Sequence, residues 1–83
     1  MPHSVKEKKR ALTRLKRIKG QVEGLERAIE AGTDCGKLLQ QIAALRGAAN
    51  SLMIEVLDGH LRETVKPAKE IDLVTGIMRT YLK

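Results

Sequence analysis

The sequence of 83 residues predicts an all-α protein with three helices, the first two long and folded back on each other as an antiparallel hairpin. Apolar residues recur three, four and seven positions apart along the chain, which is the spacing of amphipathic helices, and no segment shows a strand pattern. Gly32 and Pro67 divide the chain into three parts, because glycine commonly ends a helix and proline interrupts one.

The first helix is predicted from about residue 5 to about residue 31. Ser4 and Glu7 have the S-x-x-E spacing of a capping box, in which side chains satisfy backbone N–H groups at the start of a helix. Five apolar residues then follow a heptad pattern along this helix. They are Leu15, Ile18, Val22, Leu25 and Ile29.

The second helix is predicted from its N-cap Asp34 to about Thr64, after a turn at Gly32 and Thr33. Its apolar residues cover more than one face, because a second set lies beside the main stripe. Ordinary core packing explains most of them, and the remainder indicates contact with a partner subunit. The main stripe is Leu38, Ile42, Leu45, Ala49, Leu52 and Val56, and the second set is Leu39, Ala43, Ala44, Ala48 and Met53.

The third helix is predicted from beyond Pro67 to the C-terminus, with Ile71, Val74, Met78 and Tyr81 along one side. This helix is too short to cover both long helices. Because a chain of this size buries little apolar surface by itself, we expect it to form an oligomer.

The composition predicts a single intracellular domain. The one cysteine, Cys35, cannot form an intramolecular disulfide, which favours a reducing compartment, so we expect the protein in the cytoplasm. The charged start of the chain and the lack of a long apolar stretch predict neither a signal peptide nor a membrane anchor.

Positive charge is concentrated at the start of the chain. The first 20 residues hold eight lysines and arginines against Glu7 alone, a net charge of +7, so the other 63 residues carry −1 of the total of +6. Arg10, Arg14 and Arg17 share one side of the first helix, which favours a polyanion as partner over a merely solvated face. The absence of Trp and Phe argues against a membrane surface and against single-stranded nucleic acid, so duplex DNA is the preferred partner.

Two long segments resemble those of a known family. "LLQQIAALRGAANSLMIEVLDGHLRE" and "RLKRIKGQVEGLERAIE", together with Cys35, are similar to the CsoR/RcnR family of small all-helical bacterial repressors. "MPHS" and "HLRET" are most like its formaldehyde-responsive FrmR branch. The resemblance implies one DNA-binding and inducer-sensing domain over residues 1–83, assembled as a dimer of dimers in a disc-shaped tetramer. It implies no helix-turn-helix, and repression that ends when an inducer binds.

The resemblance also implies that Arg14, Arg17 and Arg46 contribute to the DNA-binding face, together with Gln40. Alternatively, Arg46 forms an ion pair between subunits and Gln40 is an ordinary surface residue. Without a recognition helix, we expect phosphate contacts and groove shape to dominate, and binding to fall steeply with salt.

The position of the inducer site is constrained by helix length. Cys35 and His60 are 25 residues apart, roughly 37 Å along one helix, so they cannot share a site within one chain. The hairpin returns Pro2 and His3 to the end that holds His60. If two protomers pack their second helices antiparallel, Cys35 of one protomer meets these three residues of the other. Each residue also has a plain alternative. Cys35 is then an inert cysteine and His60 a polar residue near a helix end, while His3 belongs to a disordered tail and Pro2 leads into the first helix.

Two inducers fit this set of residues. Removal of Met1 exposes the Pro2 amine, which condenses with formaldehyde to an iminium ion, and a thiolate at Cys35 then completes a methylene bridge between subunits. His3, Cys35 and His60 instead suit nickel, cobalt, copper or zinc. The resemblance implies a histidine at position 64 for nickel and cobalt and a cysteine near position 60 for copper. Since this chain has Thr64 and His60, we expect weak metal binding at most and no required cofactor.

The sequence therefore predicts a DNA-binding repressor that formaldehyde releases from its operator, with a metal-responsive repressor as the first alternative. A helical interaction module or membrane-surface module without a DNA role is the second alternative. An enzyme is not expected, because no pair of a base and a nucleophile can be assembled outside the site of Pro2 and Cys35.

Overall fold

The computed structural model describes residues 4–64 and 68–82, which form three helices. They are α1 (Val5–Glu30), α2 (Cys35–Thr64) and α3 (Ala68–Tyr81), and the described residues hold no strand. These bounds confirm the predicted all-α class and each of the three predicted helices. Pro2, His3 and Pro67 lie outside the described residues.

The two ends of α1 are formed by residues that the sequence singles out. The Ser4 side chain accepts a hydrogen bond of 3.0 Å from the Glu7 backbone N–H, which satisfies one of the free donors at the helix start. At the other end Gly32 has a φ of +74°, a left-handed conformation that glycine adopts at little cost. The Thr33 N–H donates to the Ala28 carbonyl at 3.0 Å, so the chain reverses direction directly after α1.

The three helices lie side by side in one layer. Both α1 and α3 pack against α2, and the molecule measures 51 × 27 × 11 Å. Its thickness is close to the diameter of a single helix, so both faces of the layer are open. Stable domains usually pack two layers around one core, and a lone layer therefore leaves much of its apolar surface uncovered.

Burial is confined to the seams between the helices. Among the described residues, only Ile54 of α2 and Ile71 of α3 are buried apolar side chains, each 2% exposed. Thr75 is also buried, and its hydroxyl donates to the Ile71 carbonyl at 3.0 Å. Val74 and Tyr81, which the sequence grouped with Ile71 on one side of α3, are 46% and 80% exposed. The reason is that α2 covers only a narrow strip of α3, and successive turns present Ile71 and Thr75 to it.

One face of the layer is apolar. Ile18 and Leu25 of α1 are half-buried against α2, whereas the other three heptad residues of α1 are between 46% and 59% exposed. Three apolar residues of α2, between 45% and 60% exposed, lie by helical spacing on the same side of the layer. We call these six residues the apolar face: Leu15, Val22, Ile29, Leu39, Ile42 and Met53.

An ion-pair network joins α3 to α2. The Arg62 guanidinium donates to Asp58 of the same helix, with Nε at 2.9 Å and Nη2 at 3.3 Å, and it also contacts Asp72 of α3. The hydrogen bonds to Asp58 and then to Asp72 raise the pKa of Arg62 above its already high value, so the guanidinium stays charged. The network helps to attach α3 to the C-terminal part of α2.

Candidate nucleic-acid interface

Basic side chains converge on a groove that opens on the face of the layer opposite the apolar face. The groove lies between α1 and α2 and has a volume of about 710 Å³. Six of its lining residues are basic, and two, Glu55 and Asp58, are acidic. We call it the basic groove, and its basic residues are Lys6, Lys9, Arg10, Arg14, Arg17 and Arg79.

The predicted row of arginines lies in this groove. Arg10, Arg14 and Arg17 line it together, as their spacing of four and three residues along α1 predicts. Sequence reasoning did not single out Lys9 or Arg79. Lys9 belongs to the cationic block at the start of the chain, which was the available signal. Arg79 reaches the groove only because α3 packs beside α2, and no local pattern reveals that packing.

Within the row, Arg14 is paired with a carboxylate of α2. Its Nε contacts Glu55 Oε2 in an ion pair, and the two side chains are 43% and 20% exposed respectively. Glu55 Oε2 is buried and accepts no hydrogen bond of good geometry among the described residues, although the guanidinium lies against it. A buried carboxylate oxygen needs compensation for lost hydration, and the Arg14 charge provides it.

Gln40 and Arg46 are not among the described residues that line the basic groove. Both are exposed on α2. Gln40 lies roughly 22 Å along the helix from Glu55, and Arg46, two turns before Met53, projects on the side of the apolar face. One protomer therefore does not bring either residue to the arginine row. Their contribution to DNA binding stays a prediction, and it requires a second subunit.

Cys35 and His60 lie near the two ends of α2. This helix is unbroken from Cys35 to Thr64, which puts Cys35 and His60 roughly 37 Å apart along it. Twenty-five residues make about seven turns, so both side chains lie on the same side of α2 as Ile42 and Met53 of the apolar face. Both are exposed in the protomer. A second α2 packed antiparallel on this side would bring Cys35 of one chain to His60 of the other.

The other predicted inducer residues lie at or beyond the limits of the described chain. Pro2 and His3 are outside it, and Thr64 is the last residue of α2, described for its backbone alone. Within residues 4–64 and 68–82, no three His, Cys, Asp or Glu side chains are close enough together to hold a metal ion. Over the same residues, no helix combines the length and the apolar character needed to cross a membrane.

The chain is similar to two bacterial proteins over its whole length. An "Uncharacterized protein in bioA 5'region" of Serratia marcescens is 45% identical, and a "Transcriptional repressor RcnR homolog" of Escherichia coli O139:H28 is 37% identical. Both alignments cover all of this chain and all of the relative. They span 91 and 90 positions, so these relatives carry residues that this chain of 83 lacks.

A solved structure and a family model give the family. The structure is a variant of the Formaldehyde-Responsive Regulator FrmR from Salmonella enterica serovar Typhimurium, which is 46% identical to this chain. The two superpose with a TM-score of 0.73 over 98% of this chain and 100% of that one. The model of the family described as "Metal-sensitive transcriptional repressor" matches residues 7–80. The chain therefore belongs to the CsoR/RcnR family of metal-sensitive transcriptional repressors, and it is a repressor of transcription and not an enzyme.

Proposed function

We propose that this repressor binds duplex operator DNA through the basic groove and leaves it when formaldehyde links two of its subunits. The observation that carries the DNA part is the convergence of six basic side chains from α1 and α3 on one groove. Such a row neutralises phosphates and releases their counterions, which makes binding strong at low salt. In this proposal one domain over residues 1–83, in the cytoplasm, holds both the DNA face and the inducer residues.

The apolar face supports the proposed assembly as a dimer of dimers. Its six side chains are 45% or more exposed in the protomer, and they are distributed along two long helices. Large exposed apolar patches on small proteins usually mark contact surfaces. A second copy that packs its own apolar face there would supply the missing second layer.

Two observations support formaldehyde as the inducer. The similar structure from Salmonella is named as formaldehyde-responsive, and Cys35 is exposed at the first residue of α2. In the proposed reaction the Pro2 amine adds to formaldehyde, and loss of water gives an iminium ion. The Cys35 thiolate of another subunit adds to the iminium carbon. One amine N–H, one thiol S–H and one formaldehyde thus give one N–CH₂–S bridge and one water.

The bridge acts on DNA binding through α1. Pro2 precedes α1, whose first turns carry Arg10 and Arg14 of the basic groove. A covalent link from the start of α1 to α2 of a partner favours one arrangement of the tetramer. Release follows if DNA binds better to the other arrangement, because each ligand shifts the equilibrium by its difference in affinity.

Denaturing mass spectrometry of the formaldehyde-treated protein tests the bridge. We expect two chains joined covalently, with a mass gain of one carbon atom per bridge. In parallel, the treated protein should release a fluorescently labelled duplex that carries the promoter of the protein's own gene. Cys35→Ala and Pro2→Ser should each abolish both responses. Lys37→Arg, which removes the primary amine two residues from Cys35, is the matched control and should respond fully. A normal response in Cys35→Ala or Pro2→Ser contradicts the proposal.

A metal-responsive repressor is the second candidate, because the family is metal-sensitive and one relative is named as an RcnR homolog. His3, Cys35 and His60 would be the ligands, with Thr64 beside them. Titration with nickel, cobalt, copper(I) and zinc separates the two candidates. If a metal releases the protein from DNA, and this response persists in Pro2→Ser but is lost in His60→Ala, the metal is favoured as inducer. If formaldehyde releases the protein, and this response persists in His60→Ala, the methylene bridge is favoured.

A further inference from the structure

We propose that Glu55 is a positioning residue for DNA binding, which holds the Arg14 guanidinium so that its outer N–H groups face a phosphate. This inference rests on the proposed DNA role of the basic groove and adds to it a residue of opposite charge. An acidic residue inside a DNA-binding groove would ordinarily repel the ligand. Any favourable contribution of Glu55 to DNA binding must therefore come from its effect on a neighbouring cationic side chain.

The contact between the two side chains is specific in its atoms. Arg14 approaches Glu55 Oε2 through Nε, and the Glu55 side chain is only 20% exposed. Because Oε2 is buried without another good hydrogen bond among the described residues, moving the guanidinium away would leave a poorly compensated charge. Arg14 therefore keeps Nε on Glu55 rather than exchanging it for a phosphate.

The planar guanidinium has donors left for DNA. Arginine carries five N–H donors in a rigid fork, so engagement of Nε leaves those of both Nη atoms. The Arg14 side chain is 43% exposed, which leaves part of the guanidinium accessible from the groove. Fixing a long side chain before DNA arrives removes part of the entropy that binding would otherwise cost.

The second acidic residue of the groove serves as an internal comparison. Asp58 lies one turn after Glu55, but its carboxylate is held by Arg62 at 2.9 and 3.3 Å rather than by a residue of the arginine row. Replacing either acid by its amide removes one negative charge from the same groove. Only the Glu55 change also loosens Arg14, so the pair separates positioning from charge.

The two effects have opposite signs. If charge alone matters, loss of either carboxylate strengthens DNA binding, because a repulsive group is gone. If Glu55 positions Arg14, its loss weakens binding despite the favourable change in charge. The sign of the change in affinity for Glu55→Ala therefore decides between them.

The test is fluorescence anisotropy of the full-length protein with the labelled promoter duplex, at one fixed salt concentration. We expect Glu55→Ala to weaken binding by about tenfold, which is the loss of roughly one charge-assisted contact. Glu55→Gln keeps an acceptor and the same shape, so it should weaken binding less. Asp58→Asn should bind more tightly, because it removes a repulsive charge from the groove and leaves Arg14 on Glu55. In an Arg14→Ala background, Glu55→Ala should not weaken binding further, and it should strengthen binding slightly, because only the repulsive charge is then lost.

Each alternative result has one meaning. If Arg14→Ala binds as the wild type does, the DNA role of Arg14 is wrong, and with it this part of the proposed function. If Arg14→Ala weakens binding but Glu55→Ala does not, the positioning role is wrong while the DNA role stands. If the two losses add in the double variant, Glu55 acts through general structure, which also overturns the inference. Should Glu55→Ala fail to fold, Glu55→Gln decides, since tighter binding of that variant contradicts positioning.

Discussion

The two faces of the helical layer differ in how much of their structure one chain completes. The basic groove is lined within one protomer by side chains of α1, α2 and α3, and Arg14 of α1 is already paired with Glu55 of α2. The apolar face holds six large side chains that are 45% or more exposed, and Cys35 and His60 lie on the same side of α2. The first face is formed by folding, whereas in our proposal the second is completed only by assembly.

This difference assigns the two proposed activities to different levels of organisation. In our proposal phosphates bind a groove that exists in each protomer, so the affinity of one DNA-binding face should depend mainly on its own charges. The proposed inducer site joins residues that an unbroken α2 keeps roughly 37 Å apart in one chain. An inducer that reacts at the apolar face would therefore act on the arrangement of the subunits.

The largest expected effect comes from a charge on the apolar face. Ile42→Asp places a carboxylate in the proposed interface, in every copy of the subunit. Burial of one such side chain contributes about 1.5–3 kcal/mol, so its loss from both sides of a contact should weaken association by roughly a hundredfold or more. Sedimentation velocity measures the loss as dissociation to smaller species.

Leu73→Asp is the matched control for that prediction. Leu73 is 67% exposed on α3, two residues from the buried Ile71 and therefore on the opposite side of the helix. This variant should keep the wild-type mass in solution. An unchanged oligomer in Ile42→Asp would remove the distinction between the two faces.

The next effect concerns the basic groove. Arg17→Ala should weaken binding to the promoter duplex and reduce the slope of log affinity against log salt by about 0.9, the value for one phosphate contact. The oligomer should be unaffected, because Arg17 lies on the opposite side of α1 from Leu15 of the apolar face. Anisotropy titrations at several salt concentrations give the slope. Lys37→Ala, a lysine outside the groove, is the control and should leave the slope unchanged.

A smaller effect should appear at the turn that joins α1 to α2. Gly32 has a positive φ, and a side chain there costs about 1–2 kcal/mol because L-residues resist the left-handed conformation. Gly32→Ala should lower the midpoint of thermal unfolding, and it should affect the basic groove and the apolar face equally. Gly76→Ala is the control of opposite sign, since its added methyl meets nothing within 4 Å and a helix prefers alanine. Equal midpoints for the two variants would contradict this account of the turn.

The smallest expected effect is at the contact between Arg62 and Asp72, which helps attach α3. Asp72→Asn should lower the thermal midpoint slightly at low salt, and the difference should shrink as salt screens this exposed pair. Glu23→Gln, on the exposed surface of α1, is the control. A loss of DNA binding in Asp72→Asn would show that the position of α3, and of Arg79 with it, matters more to the groove than we expect.

Much of the fold could be predicted from local signals. The S-x-x-E pattern, Gly32 and Pro67 gave helix bounds that agree with the structure, because caps and breakers act on the backbone nearby. Val74 and Tyr81, which spacing places along one side of α3 with Ile71, are largely exposed, and Thr75 is buried beside Ile71 instead. Periodicity shows which residues share a stripe, but the neighbouring helix decides how wide the covered strip is.

The sequence by itself determined the helices, the family and the arginine row, since each depends on spacing along one segment. It also determined that Cys35 and His60 cannot meet in one chain, because a helix has a fixed rise per residue. Only the tertiary structure decided that Arg79 joins the basic groove and that Arg14 pairs with Glu55. These depend on which side of α2 each neighbouring helix occupies, and that choice is made by packing between segments far apart in the chain.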